Sequence, residues 1–493
     1  MRKQLHPIMF AGTGSDVGKS VTAAAFCRIF LQDGYNPAPF KAQNMALNSY
    51  ATPDGLEIGR AQAMQASAAG IDCHTDMNPI LLKPYSGNNS QIILNGRPYG
   101  NQNAFSYFNK AGRDVFRKEI QKAYARLAKR YNPIVLEGAG SIAEINLKES
   151  DLVNMSMAKY AKAEVILIAD IDRGGVFASV YGTLLLLEPE ERLLVKGIII
   201  NKFRGDLRLF ESGVKKIEEL CNVPVLGVVP FFKDIYIEEE DSVSLKTKEN
   251  NYLAGKINVV VVLLRHLSNF TDFDILERDP RVHLYYSNNS EEIEKADIIL
   301  IPGTKSTISD MYEIRKSGIA QSILKSCKDG ATVMGICGGF QIMGQSICDP
   351  MHHEGEIEQL PGLALLPVNT VIGDGKITRQ VKFTFPGSSE ICKGYEIHMG
   401  STTVAAGSEN RALNQLDDGS EDGYYLNQKC MGSYIHGILD NSQFIDFLLS
   451  PFTDKLKKNP VDIKQFKEEQ FDKLTEHFRK YVDIQKIYNI LSI

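Results

Sequence analysis

An apolar run, Ile8-Met-Phe-Ala11, passes without a break into Gly12-Thr-Gly-Ser-Asp-Val-Gly-Lys-Ser20, and the helix-forming Val21-Thr-Ala-Ala-Ala-Phe26 follows directly. Strand, glycine-rich loop and helix in that order constrain the fold sharply. The strand belongs in a parallel sheet, with the loop at its carboxyl end and the helix packed on its face. In such a loop the backbone N–H groups and the positive helix terminus cradle phosphates, a lysine reaches the terminal phosphates and a hydroxyl can join Mg²⁺. Gly12, Thr13, Gly14, Ser15, Asp16, Val17 and Gly18 supply the cradle, Lys19 the cation and Ser20 the hydroxyl. The usual pattern has its first glycine where this chain has Thr13, and Gly12 stands one place earlier.

Further short apolar runs near 134–136, 165–169, 197–200 and 225–229 alternate with longer helix-like stretches, as buried parallel strands do. A second series starts at Val259–Leu264 and continues at Ile298–Ile301 and Thr332–Gly335. Between them the chain turns polar, with Glu238-Glu-Glu-Asp241 and Lys246-Thr-Lys-Glu-Asn-Asn251. The expected organisation is α/β, with two doubly wound domains. A P-loop domain takes 1–245, a linker 246–256, a second α/β domain 257–450 and a helical extension 451–493. In the extension Phe471, Leu474, Phe478 and Tyr481 recur at helical spacing and predict a packing helix.

Composition narrows the partners. Lys+Arg 55 against Asp+Glu 60 gives a formal charge of -5 without a basic block, which argues against nucleic acid as a partner. No apolar run approaches the roughly 20 residues that cross a bilayer, and the N-terminus lacks the form of a signal peptide, so neither membrane nor export is expected and a cytoplasmic location is. The 8 Cys contain no Cys-x-x-Cys pair, so neither a zinc site nor a disulfide frame is expected.

Carboxylates and amides at strand ends are the candidates for handling a phosphate-bound Mg²⁺ and its nucleotide. Glu137 closes the strand Pro133-Ile-Val-Leu-Glu-Gly-Ala-Gly140, and Glu57 lies in Gly55-Leu-Glu-Ile-Gly-Arg-Ala-Gln62; both are expected metal ligands, Glu57 with the alternative of a solvated helix-start charge. Lys41, ending Pro39-Phe-Lys, is placed to neutralise charge on a transferred phosphoryl group. Asn201, after Gly197-Ile-Ile-Ile200, offers an amide suited to an adenine edge.

A second centre is written around a cysteine. Ala331-Thr-Val-Met-Gly-Ile-Cys-Gly-Gly-Phe-Gln341 places Cys337 between glycines, after a strand and before a helix, which is the pattern of a nucleophile elbow. Backbone N–H groups near Gly338 and in the turn at Gly303 are the expected oxyanion donors. A thiolate nucleophile needs a base, and among 9 His the preferred one is His436 in Gly432-Ser-Tyr-Ile-His-Gly437. His398, in Gly394-Tyr-Glu-Ile-His-Met-Gly400, is expected to be structural or to face a substrate.

With these residues in view the chain resembles the cobyric acid synthase family over nearly its whole length. Its specific segments are Phe40-Lys-Ala-Gln-Asn-Met-Ala-Leu-Asn48, Asp76-Met-Asn-Pro-Ile-Leu-Leu-Lys-Pro84, Glu137-Gly-Ala-Gly-Ser141 with Glu144-Ile-Asn146, Asp170-Ile-Asp-Arg-Gly-Gly-Val-Phe-Ala178, Asn201-Lys-Phe-Arg-Gly-Asp206 and Asn269-Phe-Thr-Asp-Phe273. The first half also looks like dethiobiotin synthetase, which implies ATP-phosphate roles for Lys19 and Lys41, metal roles for Ser20, Glu57 and Glu137, and adenine contact for Asn201. The second half resembles class I glutaminases, which implies Cys337 as nucleophile and His436 as base. Most of those carry a Glu two residues after the histidine. Ile438 stands there in this chain, so the resemblance implies a Cys-His dyad whose imidazole is oriented by something outside the local sequence.

The resemblance implies, in cobalamin biosynthesis, ATP-dependent phosphorylation of the b, d, e and g side-chain carboxylates of adenosylcobyrinic acid a,c-diamide, a corrinoid, and displacement of phosphate by ammonia released from glutamine. Three readings compete: a sister amidotransferase such as a cobyrinic acid a,c-diamide synthase or a cell-wall enzyme, a P-loop ATPase switch with an inert glutaminase-like module, and a free-standing glutamine hydrolase. Gln43-Asn-Met-Ala-Leu-Asn48 speaks against the first by resemblance, the intact Cys337 elbow with His436 against the second, and an otherwise idle first domain against the third.

Overall fold

The structure, a computed structural model, describes residues 3–84, 89–103, 110–238, 251–455 and 463–492. Residues 246–250 of the expected linker lie outside the described residues.

The first half is built on six parallel strands in the order Val225–Pro230, Val195–Phe203, Glu164–Asp170, Ile8–Gly12, Ile134–Glu137 and Ala38–Phe40. Ile8–Gly12 is buried at every residue because neighbours pair on both edges and apolar layers cover both faces. The helix Lys19–Gln32 packs Phe26 and Phe30 onto one face. Phe471, Leu474 and Phe478 of the C-terminal helix Ile463–Tyr481 join that same layer, so the extension returns to cover the first half.

The second half holds another six-stranded sheet, Val282–Ser287, Ile257–Val262, Ile298–Ile301, Thr332–Ile336, Cys430–Ser433 and Tyr424–Asn427, parallel except for the last strand. Beside it lies a sheet that periodicity did not suggest. The long antiparallel pair Val368–Thr384 and Cys392–Val404 forms its centre, and Ile435–His436 adds to its edge. Where the long pair approaches the first half, Lys376 ion-pairs with Glu57 and Gln380 donates to the Ala51 carbonyl.

Candidate active sites

Strand order assembles the first site. Phe10 stands opposite Glu137 and Phe40 opposite Leu136, so the loop after Ile8–Gly12, the carboxylate ending Ile134–Glu137 and Lys41 just past Ala38–Phe40 converge on one edge of the sheet. The loop turns through left-handed Asp16 (φ 57°) and Gly18 (φ 99°). A side chain on Gly18 would strike the Asn201 amide at 2.1 Å, and one on Gly12 would meet Lys19 Nζ at 2.9 Å, so these two glycines are required by close approach. Lys19 Nζ donates to the Gly14 and Gly140 carbonyls at 2.8 and 3.0 Å. Thr13, counted with the phosphate cradle, commits its N–H to the Ile168 carbonyl at 3.0 Å and continues the sheet.

Glu137, 1% exposed, is the electrostatic centre of this site. Its Oε1 accepts Ser20 Oγ at 2.8 Å and Lys41 Nζ at 2.8 Å, and its Oε2 accepts Gln65 Nε2 at 2.6 Å. Burial opposes its charge, but the Lys41 ammonium and these hydrogen bonds outweigh it and hold the carboxyl below the usual range. The adjoining cleft has a volume of about 1050 Å³, at the upper limit of the roughly 300–1,000 Å³ usual for small-molecule pockets. Oxygen donors are what Mg²⁺ takes. Ser20 Oγ and Glu137 Oε1 already meet, and the buried Gln65 carbonyl oxygen beside them has no hydrogen-bond partner among the described residues, so the donor set fits such an ion.

One expectation changes here. Glu57 is not brought to this place: it is buried with Lys83 Nζ at 2.9 Å on one oxygen and Lys376 on the other. Against the cost of burial those two ammonium groups hold its carboxyl well below the usual range, and the cluster ties the halves together. Gln65, which the sequence reading passed over, takes the position beside Glu137. Asn201 is at the loop, where its amide nitrogen donates one of its two N–H groups to the Val17 carbonyl at 2.9 Å and braces the turn.

Strand adjacency also assembles the second site. Ile336 pairs with Ser433, and the Cys337 N–H donates to the Ser433 carbonyl at 2.8 Å. Cys337 ends one strand, and three residues past Ser433 the chain reaches His436. Cys337 sits at φ 53°, ψ −111°, a strained backbone of the kind an elbow imposes. Flanking glycines are needed for packing: a Cβ on Gly339 would lie 1.9 Å from the Ile301 carbonyl oxygen, and one on Gly338 2.9 Å from the Thr304 nitrogen. The Gly303–Thr304 turn is thereby pressed against the elbow, and His436 Cε1 lies 3.2 Å from where a Gly303 Cβ would stand.

The dyad expected from Ile438 is corrected by the structure. His436 Nδ1 meets Asp272 Oδ2 at 2.7 Å, and Asp272 Oδ1 accepts the Gly437 N–H at 3.0 Å. The acid arrives from Asn269-Phe-Thr-Asp-Phe273, a segment whose distinctiveness was visible but whose role was not. Burial opposes charging His436, yet Asp272 and the hydrogen-bonded Cys337 side chain outweigh it and lift the imidazole to about 10. His398 is different. Its Nδ1 faces the Gly400 carbonyl at 3.1 Å, its ring stacks on Tyr434 with centroids 3.7 Å apart, and burial pushes it down to about 4. A cysteine–histidine–carboxylate set and a glycine-rich loop with its own lysine and carboxylate thus occupy one chain.

That combination defines a glutamine amidotransferase ligase. Residues 8–245 match the CobQ/CobB/MinD/ParA nucleotide binding domain, and 258–444 the CobB/CobQ-like glutamine amidotransferase domain. Proteins called cobyric acid synthase are 67% identical in Bacteroides fragilis and 65% in Phocaeicola vulgatus, each over 100% of this chain and 99% of the relative. Another, in Parabacteroides distasonis, is 58% identical over 100% of both. The chain belongs to the cobyric acid synthase family.

Asp272→Asn is expected to lower glutamine hydrolysis at least about a hundredfold, because the amide no longer fixes the tautomer or stabilises the imidazolium. Synthesis from added ammonium should be unchanged. Near-normal hydrolysis in this variant would mean that His436 is oriented by another group.

Proposed function

We propose that the chain amidates the b, d, e and g side-chain carboxylates of adenosylcobyrinic acid a,c-diamide in cobalamin biosynthesis, using ATP and glutamine. The observation that carries this reading is the meeting of two complete sites in one chain, one suited to phosphoryl transfer and one to amide cleavage. The loop N–H groups and Lys19 hold the ATP phosphates, and Lys41 neutralises charge as the γ-phosphoryl passes to a corrinoid carboxylate. Ser20 and Glu137 would hold Mg²⁺, which when bound offsets phosphate charge. At the other site His436 takes the proton of Cys337, the thiolate attacks the glutamine carboxamide, and the Gly303 and Gly338 N–H groups receive the oxyanion. The same imidazole, held by Asp272, returns the proton to the leaving ammonia, and water then releases glutamate. Ammonia displaces phosphate from the acyl phosphate and leaves an amide.

Two features of the cleft support a flat, apolar macrocycle bearing carboxylates. Met45, Ile145, Leu147 and Leu186 line it while exposed between 40% and 60%, and Arg113, Lys148, Lys159 and Arg173 stand among them.

One phosphate cradle serves carboxylates spread around a ring, and phosphoryl transfer requires each attacking oxygen in line at contact distance. A single pose cannot present them all. Partly amidated corrinoids should therefore accumulate free in solution early in a time course with excess a,c-diamide, followed by mass spectrometry. Only starting material and fully amidated product at every time point would contradict release between steps. Absence of any amidated product would contradict the substrate.

A further inference from the structure

The cavity beside Cys337 contains charges that the proton transfers do not use. Its volume is about 70 Å³, and Lys305, Glu354, Lys83 and Lys376 line it together with Cys337 and His436. Lys305 follows the turn pressed against the elbow, and its backbone is held by its N–H on the His266 carbonyl at 3.0 Å. Its half-buried ammonium has no hydrogen-bond or ion-pair partner among the described residues. Burial, and then the like charges of Lys376 and Lys83, push it down to about 7. Lys83 and Lys376 share Glu57, so Lys305 is the cation left over.

Glu354 faces the same space. Its Oε2 accepts the Ile308 N–H at 3.0 Å and its Oε1 the Thr307 hydroxyl at 3.3 Å, which fix the carboxyl group without supplying a cation. Burial foremost, with Asp349 adding to it, lifts the carboxyl to about 7. A crowded lysine and a half-buried carboxylate on the walls of one cavity feel each other's charge without forming an ion pair, and each is relieved further by a ligand of opposite sign.

Glutamine carries both signs at a fixed distance from the bond that breaks. Its α-carbon is three C–C bonds of about 1.5 Å from the amide carbon, a span of about 4 Å, and a compact cavity of this volume is about 5 Å across. We propose that Lys305 binds the α-carboxylate, and Glu354 the α-ammonium group, of the glutamine whose side-chain amide meets Cys337. This pair would set the choice of glutamine over other primary amides, and it rests on the reading of Cys337 as the glutaminase nucleophile.

The test uses the full chain and three amides: glutamine, glutaramic acid, which lacks the α-amino group, and 4-aminobutanamide, which lacks the α-carboxylate. Lys305→Met should lower kcat/KM for glutamine and for glutaramic acid by about 10- to 100-fold, the effect of one charge-assisted hydrogen bond. For 4-aminobutanamide it should change by less than about twofold, and Lys305→Arg should recover part of the loss. Glu354→Gln should give the mirror image, lowering glutamine and 4-aminobutanamide and sparing glutaramic acid. Ammonia-dependent synthesis should persist in all variants and reports that they are folded. Equal losses on all three amides, as expected if Glu354 only caps the helix Thr307–Lys316, or no loss on any, would overturn the assignment. If Glu354→Gln fails to fold, the Lys305 variants decide. Failure of the underlying reading shows separately, as wild-type hydrolysis that survives Cys337→Ala.

Discussion

Cys337→Ala is expected to abolish glutamine-dependent amide synthesis and to leave synthesis from added ammonium intact. The sulfur is the only atom replaced, and in the structure it serves only the second site: it lies at the elbow, beside His436 and against the Ile397 carbonyl at 3.6 Å. Without it no thioester forms, and neither His436 nor the turn at Gly303 can substitute for a nucleophile. The loss should reach the detection limit of a glutaminase assay. The phosphate cradle contributes nothing to that step, so free ammonia should still be used at the wild-type rate. Loss of both activities would mean that the two sites are not separable in this way.

The opposite pattern is expected at the sheet edge of the first half. Lys19→Met and Glu137→Gln should each end amidation from glutamine and from ammonia alike, by about a thousandfold or more, since charge stabilisation is nearly all that a protein supplies to phosphoryl transfer. Glutamine hydrolysis should survive. Glutamine is the preferred replacement for Glu137 because it keeps the volume and one oxygen acceptor, whereas alanine would remove every acceptor that Glu137 offers Ser20 and Lys41 and leave a cavity in their place. Ammonia-dependent activity retained in Glu137→Gln would remove this residue from the phosphate site.

Much of this was legible in the sequence because the informative residues are local. The P-loop and the Cys337 elbow each occupy about ten residues, and within such a span the order of strand, glycine and helix dictates where a backbone N–H or a nucleophile must stand. Strand ends were legible too, which is why Glu137 and Lys41 were found before the neighbouring register that joins them was known. What escaped depends on partners far along the chain. Asp272 and His436 are 164 residues apart, and no local pattern distinguishes that aspartate from its neighbour Asp274. Glu57 was misplaced for the same reason: its lysines are 26 and 319 residues away, and before they are seen a carboxylate at a helix start reads equally well as a ligand or a solvated charge. Gln65 has no charge and sits mid-helix, so nothing local distinguished it until Glu137 was placed against it. The antiparallel pair Val368–Thr384 and Cys392–Val404 alternates polar and apolar residues too irregularly to stand out, because its faces meet different neighbours along its length.

The central claim is that nitrogen leaves glutamine at Cys337 and reaches a corrinoid carboxylate activated by ATP at the Lys19–Glu137 site. The most direct measurement is mass spectrometry of the corrinoid after incubation of the full chain with adenosylcobyrinic acid a,c-diamide, ATP, Mg²⁺ and glutamine labelled with ¹⁵N in its side-chain amide. The account predicts a product in which four carboxylates have become ¹⁵N-amides, formed only when ATP is present. A corrinoid of unchanged mass, while glutamine is hydrolysed and ATP consumed, would contradict it.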